Sequence, residues 1–295
     1  MKIQDGVYDA HLVGSEVRLS NNGKPMICFL WKLDESGETI KALATKLGIK
    51  TALFTQSDFH TTVKTRLIAN NNHLLRIDTE NRLSSDNRLL ALVKRKCSSL
   101  IKTSDIILLS DYGKGLLSGD LCPFVISCCI RCGKRVIVDP KGSDYSKYKN
   151  AFLIKPNLKE LSFVTGKSFN PASPNFFKDI AREAKNLARR LKLNGILVTL
   201  SEHGMLYAPA SASGKSVHLQ TTAKEVFDVS GAGDTALAAL GAALGAGHDI
   251  TYAMRMSNIA SGIVVSKLGT ATAGLDEIHA ALRQSNTAWK NKGVQ

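Results

Sequence analysis

Nowhere does the sequence hold about 18 consecutive apolar residues, the length a membrane-spanning helix needs. Its opening, MKIQDGVYDAHLVG, lacks an apolar h-region and a small-residue cleavage site, so no secretory signal is expected. A cytoplasmic protein without a membrane partner is the expectation. Internal repeats, low-complexity segments and long linkers are also missing. That leaves 295 residues for a single domain over 1–295, with enough chain to bury a full core.

Cysteine pairs at zinc-ribbon distance are lacking as well. Cys122, Cys128, Cys129 and Cys132 lie in one apolar segment, LCPFVISCCIRCG, and Cys129/Cys132 have C-x-x-C spacing. No second C-x-x-C or H-x3-H pair follows. Two readings stay open, a metal or redox site and a buried helix using cysteine as a small hydrophobe. Acidic residues are in deficit, giving a net charge of +14. The excess is spread along the chain, and its densest run, VKRKC at 93–97, reads as the solvated face of a helix. No base-reading motif accompanies the charge, so no nucleic-acid partner is expected.

What is present is an alternation of strands and helices from about residue 100. SDIILLSDYG (104–113), KRVIVDPKG (134–142), AFLIKPN (151–157) and NGILVTLSEHG (194–204) read as strands with polar loops. DLCPFVISCCIRCG and residues 175–193 read as helices. Such β-branched, non-alternating strands predict a mostly parallel sheet covered on both faces. Polar residues follow each strand: Asp111 and Lys114, Asp139 and Lys141, Asn157 and Glu160, Thr199 and Ser201. Ligands of open α/β sheets bind beyond the carboxyl ends of the strands, so these loops are expected to face one site. Earlier in the chain, 61–80 reads as a polar β-hairpin turning at Asn70-Asn71-Asn72, and 35–50 as a helix.

The segment DVSGAGDTALAALGAAL begins at Asp228 with a turn of small residues and passes into an alanine-rich helix at Asp234. The unpaired amides of a helix start form an anion site, and Gly231, Ala232 and Gly233 let a ligand approach the backbone closely. Asp234 at its rim is able to take a proton from a hydroxyl attacking phosphorus. A plain tight turn with Asp234 near the cap fits the spacing equally well. No G-x-x-x-x-G-K-[ST] occurs, so this is not a P-loop.

DVSGAGDTALAALGAAL resembles the C-terminal signature of the ribokinase-like (PfkB) family of sugar and nucleoside kinases. KPNLKE, ILVTLSEHGM and SNIASGIVVSKLGT resemble three further family elements, in family order. The resemblance implies a three-layer α/β sandwich with a small β lid formed over about 58–80. It implies ATP and Mg²⁺ as cofactors, Asp234 as catalytic base, and Gly231, Ala232 and Gly233 as the anion hole. Asn157 and Glu160 would position Mg²⁺, directly or through water. Thr199, Ser201, Gly204 and Asn258 would lie beside ATP, and Asp228 beside a monovalent cation. Within the family, TTVKTRLIANNNHLLRID, LLSDYGKGLL, VIVDPKGSDYSKY, VFDVSGAGDT and VVSKLGT are most similar to segments of the heptose 7-phosphate kinases. Lys64, Arg66, Asp111, Lys114 and Lys141 would then approach the sugar phosphate. The implied reaction phosphorylates D-glycero-β-D-manno-heptose 7-phosphate during synthesis of lipopolysaccharide-core precursors. A homodimer through the lid is implied, with a separate adenylyltransferase in the same pathway because too little chain follows Asp234 to hold one.

The first 34 residues depart from that family. Neither a strand ending in Gly-Asp nor a Gly-Gly-x-x-x-Asn segment, both used to hold sugar hydroxyls, occurs before the hairpin. An incomplete N-terminal part of the sheet is therefore expected. The alternatives are a kinase acting on another sugar or nucleoside, and a nucleotide-binding pseudokinase without turnover.

Overall fold

The computed structural model describes residues 48–52, 54, 63–69, 72–79, 87–223, 225–267 and 271–290. The atypical segment 1–34 lies outside the described residues. So does most of the helix expected over 35–50, of which only 48–50 is described, as turn and irregular chain.

Strands β1 (Val63–Ala69) and β2 (Asn72–Thr79) form the expected antiparallel hairpin. Lys64 stands opposite Asp78 and Arg66 opposite Arg76, with an irregularity in register between Leu67 and Ile68. Helix α1 (Asn87–Thr103) follows and buries Val93, Cys97 and Ile101, a stripe with four-residue spacing that a helix places on one face. Arg95 and Lys96 are exposed between them, as the solvated-face reading requires.

The main sheet has six strands in the order β3 (Ile106–Ser110), β4 (Arg135–Asp139), β5 (Leu153–Ile154), β6 (Gly195–Thr199), β7 (Met205–Pro209), β8 (Val217–Leu219). Pairing is parallel from β3 through β6 and antiparallel from β6 through β8. The expected strand over 151–157 is cut to two residues, because Pro156 has no amide to donate to a ladder. Beyond it, Asn157 makes an isolated parallel bridge to Thr199, which keeps the two loops side by side.

Alternation along each strand divides its side chains between two cores. Ile107, Leu109, Val136, Val138, Ile154, Ile196 and Val198 join one cluster, which helices α1, α2 (Leu121–Arg131) and α4 (Phe176–Arg190) cover together with Leu161 of α3 (Leu158–Thr165). Ile106, Leu108, Ile137, Leu153 and Leu197 face the other way, onto α5 (Ala232–Gly245) and α6 (Ile250–Val265). Helix α7 (Leu275–Lys290) contributes Ile278 and Leu282 to a smaller cluster with Ile259 and Ala260 of α6. Both faces of the sheet are thus covered.

The small residues of α5 have a packing reason. A Cβ at Gly241 would meet Leu108 Cδ2 at 2.7 Å, so this helix lies closer to β3 than a larger residue would permit. In α2, Cys122, Cys128 and Cys129 are buried, and burial pushes the thiols of Cys122 and Cys129 up to about 12. Among the described residues no group of three His, Cys, Asp or Glu side chains is placed to hold a metal. Burial of these thiols is what the reading of cysteine as a small hydrophobe expects. No helix among the described residues is long and apolar enough to cross a membrane.

Candidate active site

The carboxyl ends of β3, β4, β5 and β6 carry the polar loops, and α5 brings its N-terminus to them. Gly231 is the N-cap of α5, in the left-handed region at φ +77°, and supplies no capping side chain. Helix α5 begins at Ala232, two residues before the expected Asp234, because the glycine turn closes earlier and places Asp234 in the first turn. The amide of Ala232 reaches Val229 O at 3.3 Å, so it is turned back on the chain. Those of Gly231 and Gly233 meet no acceptor among the described residues. Gly233 is exposed and Asp234 half-buried.

The other helix start at this edge is capped by its own side chains. Asn157 accepts a hydrogen bond from Glu160 N at 2.9 Å, and Glu160 Oε2 accepts one from Asn157 N at 3.0 Å. Glu160 Oε1 takes the ammonium of Lys141 at 2.8 Å. Of the two helix starts, α3 therefore spends its orphan groups locally while α5 leaves glycine amides open.

Two side chains not expected from the sequence belong to the centre. The ammonium of Lys155 is buried and lies 3.1 Å from Asp139 Oδ2. A Cβ placed on Gly233 would stand 3.8 Å from Lys155 Nζ, so the cation sits beneath the glycine turn. Burial raises the Asp139 carboxyl to about 6 despite Lys155, with smaller contributions from Glu160 and Asp234. Tyr112 donates its hydroxyl to Asp234 Oδ1 at 3.0 Å. The signals for both were slight: Lys155 immediately precedes Pro-Asn, and Tyr112 lies between Asp111 and Gly113 in the SDYGKG loop.

The remaining expected residues divide by what they touch. Asp111 is buried; its Oδ2 receives Lys147 and Tyr148, both at 2.6 Å, and Oδ1 receives Gly113 N at 2.7 Å. It braces the loop from within. Lys114, in the same loop, is half-buried. Thr199 stands beside Asn157 through the bridge, and Ser201 and Gly204 shape the following turn at φ +52° and +82°. Asn258, buried in α6, donates to Gln220 O at 2.6 Å and accepts from Thr222 at its carbonyl, tying down the loop after β8. Asp228 Oδ1 accepts from Ser230 N at 2.8 Å, tightening the approach to the glycine turn. Lys64 and Arg66 lie on β1, in the hairpin.

Comparison with known proteins places this geometry. The model of the pfkB family of carbohydrate kinases matches residues 33–278. "Bifunctional protein HldE" of Campylobacter curvus is 38% identical over 262 residues, 88% of this chain and 53% of the relative. The protein of the same name from Desulfatibacillum aliphaticivorans is 39% identical over 263 residues, 88% of this chain and 52% of the relative. This chain spans about half the length of these curated relatives. Phosphofructokinase-2 from Escherichia coli in complex with potassium superposes with a TM-score of 0.72 at 19% identity, covering 85% of this chain and 79% of that one. Arabidopsis thaliana ribokinase complexed with ribose and ATP gives 0.66 at 19% identity, covering 87% and 81%. The fold is therefore ribokinase-like, and the chain belongs to the pfkB family of carbohydrate kinases.

Proposed function

We propose that the chain transfers the γ-phosphoryl group of ATP to a hydroxyl of a phosphorylated sugar. D-glycero-β-D-manno-heptose 7-phosphate is the acceptor in this reading and the 1,7-bisphosphate the product. One observation carries it: Asp234 stands in the first turn of a helix whose Gly231 and Gly233 amides meet no acceptor among the described residues, with the Lys155 ammonium beneath them. Donors fixed in this way stabilise charge on a transferring phosphoryl group without reorganising. Asp234 accepts the proton of the acceptor hydroxyl as its oxygen attacks phosphorus.

The oxygens of Asn157 and Glu160 are hard donors of the kind Mg²⁺ prefers. Both Glu160 oxygens are already engaged, by Asn157 N and Lys141, so these residues would hold the ion through water. When bound with ATP it supplies positive charge to the phosphate oxygens. Thr199, Ser201, Gly204 and the loop held by Asn258 receive the nucleotide, and Lys64, Arg66, Lys114 and Lys141 the sugar phosphate. A monovalent cation beside Asp228 belongs to the same reading, prompted by the potassium complex of the E. coli enzyme. So do a cytoplasmic location, a homodimer through the hairpin, and a partner adenylyltransferase. No observation among the described residues favours a pseudokinase.

The test is ADP release with Mg·ATP and a panel of acceptors: heptose 7-phosphate, fructose 6-phosphate, ribose and adenosine. Turnover on the heptose phosphate that falls by about 10²–10⁴ in Asp234→Asn, with ATP binding retained, is the expected result. ATP binding without ADP production on any acceptor would overturn the reading.

A further inference from the structure

We propose that Tyr112 is a positioning residue for the base, holding the Asp234 carboxylate in place through a hydrogen bond to Oδ1. The inference rests on the kinase reading for its chemical meaning, but the contact itself is structural. Tyr112 OH and Asp234 Oδ1 are 3.0 Å apart although the residues are separated by 122 positions. The phenol therefore joins the β3–α2 loop to the first turn of α5.

The loop that presents the phenol is held on both sides. Asp111 N donates to Asp139 O at 3.0 Å, and the Asp111 carboxylate gathers Lys147, Tyr148 and the Gly113 amide. Gly113 turns the chain at φ +69°, and a Cβ there would press on Lys141 Cγ at 3.3 Å. Ser110, at the end of β3, is a further polar side chain near the phenol. Tyr112 thus projects from a braced base although the residue is 38% exposed. Surrounding atoms first, and the Asp234 charge next, push the phenol above its ordinary range, so it stays a donor at any working pH.

Near Asp234 lie Tyr112 from the β3–α2 loop and Asp139 from the end of β4, while Lys155 from beyond β5 sits under the adjoining Gly233. Asp139 and Asp234 are like charges that act on each other, and Tyr112 donates to the Asp234 carboxylate. During transfer the acceptor proton passes to Asp234 as the new oxygen–phosphorus bond forms and the bond to the ADP oxygen breaks. Tyr112 keeps its own proton throughout. A donor held to one carboxylate oxygen limits rotation of the side chain, and orientation of a reacting group is worth large factors in rate.

The experiment compares wild type with Tyr112→Phe by two readouts. The first follows the Asp234 carboxyl by carbon NMR in ¹³C-aspartate-labelled protein, with Asp234→Asn supplying the assignment. Its titration midpoint is expected to rise by about one pH unit in Tyr112→Phe, since a donor to the charged form has been removed. The second is kinetic: kcat falls about 10–100-fold while KM for ATP changes less than about twofold, because misplacing a base acts on the chemical step. An unchanged midpoint, or an unchanged kcat in an active enzyme, overturns the proposal. A shifted midpoint in a wild type that turns over no acceptor overturns the kinase reading and leaves the Tyr112–Asp234 coupling standing.

Discussion

Lys155 Nζ lies 3.1 Å from Asp139 Oδ2, with the lysine side chain 3% exposed and the aspartate 22%. The two come from the ends of adjacent parallel strands, β5 and β4, and meet because the register sets Val138 beside Ile154. In the proposed reaction a cation kept this dry beside an open helix start would serve the phosphate, and Asp139 makes its burial tolerable.

That pairing fixes the outcome of breaking it. Lys155→Met leaves Asp139 without its counter-charge and is expected to lose about 3–5 kcal/mol of unfolding free energy. The double variant Lys155→Met/Asp139→Asn recovers most of the loss, since no lone charge remains. Urea denaturation of the three proteins decides it; a single variant as stable as the double would remove the pair from any structural role.

The pH dependence has a definite sign. Asp139 titrates near 3.8 in an unfolded chain and about 6 in the folded one. Its contribution to stability is fully present below about 3.8 and is lost as pH rises through about 6, because the unfolded state sheds the proton first. Wild type should therefore lose stability relative to Asp139→Asn between pH 4 and pH 6.5, as about one pair of carboxyl reference and folded values dictates. Equal pH profiles for the two proteins would contradict it.

Gly233→Ala separates catalysis from folding. A Cβ there meets only Lys155 Nζ, at an ordinary 3.8 Å, and the residue lies within α5. Stability should hold or rise by about 0.5–1 kcal/mol, as for alanine replacing a helical glycine. The methyl group nevertheless fills the approach to the amides, so kcat/KM is expected to fall at least about tenfold. Calorimetry and steady-state kinetics on one preparation give both numbers.

Gly204→Ala is expected to do the opposite. At φ +82° a Cβ would sit on Leu219 O, with Gln220 C and Thr221 N at 2.7 Å. Backbone occupies the space on every side, so the β6–β7 turn must deform, with a loss of about 3 kcal/mol or more. Thermal unfolding reads this directly, before any nucleotide is added.

Asn157 has a stabilising role apart from its part in the site. Asn157→Ala removes the capping box of α3 and should lose about 0.5–2 kcal/mol, whereas Asn157→Ser keeps an acceptor and most of the stability. Activity should fall in both, if the amide oxygen also serves the cation. Retained activity in Asn157→Ser would confine the residue to capping.

The parallel strands, helices α2 and α4 and the glycine turn ahead of α5 were legible in the amino-acid order, whereas the short α3 was not read. Each depends on neighbours: short apolar runs, apolar spacing of three and four, and Gly231 free to take a positive φ. The C-x-x-C pattern left two readings open, because spacing alone does not distinguish ligands from a buried stripe. Antiparallel β7 and β8 went unread, β7 because it alternates only in part and β8 because it has three residues.

What the sequence by itself determined was which segments form elements and which loops carry polar residues. Only tertiary structure decided that Tyr112 reaches Asp234, that Lys155 is buried against Asp139, and that Asp111 braces a loop. Local periodicity is a property of residues a few positions apart. Such contacts depend instead on strand order, register and the seating of α5 on β3, which no short window of sequence contains.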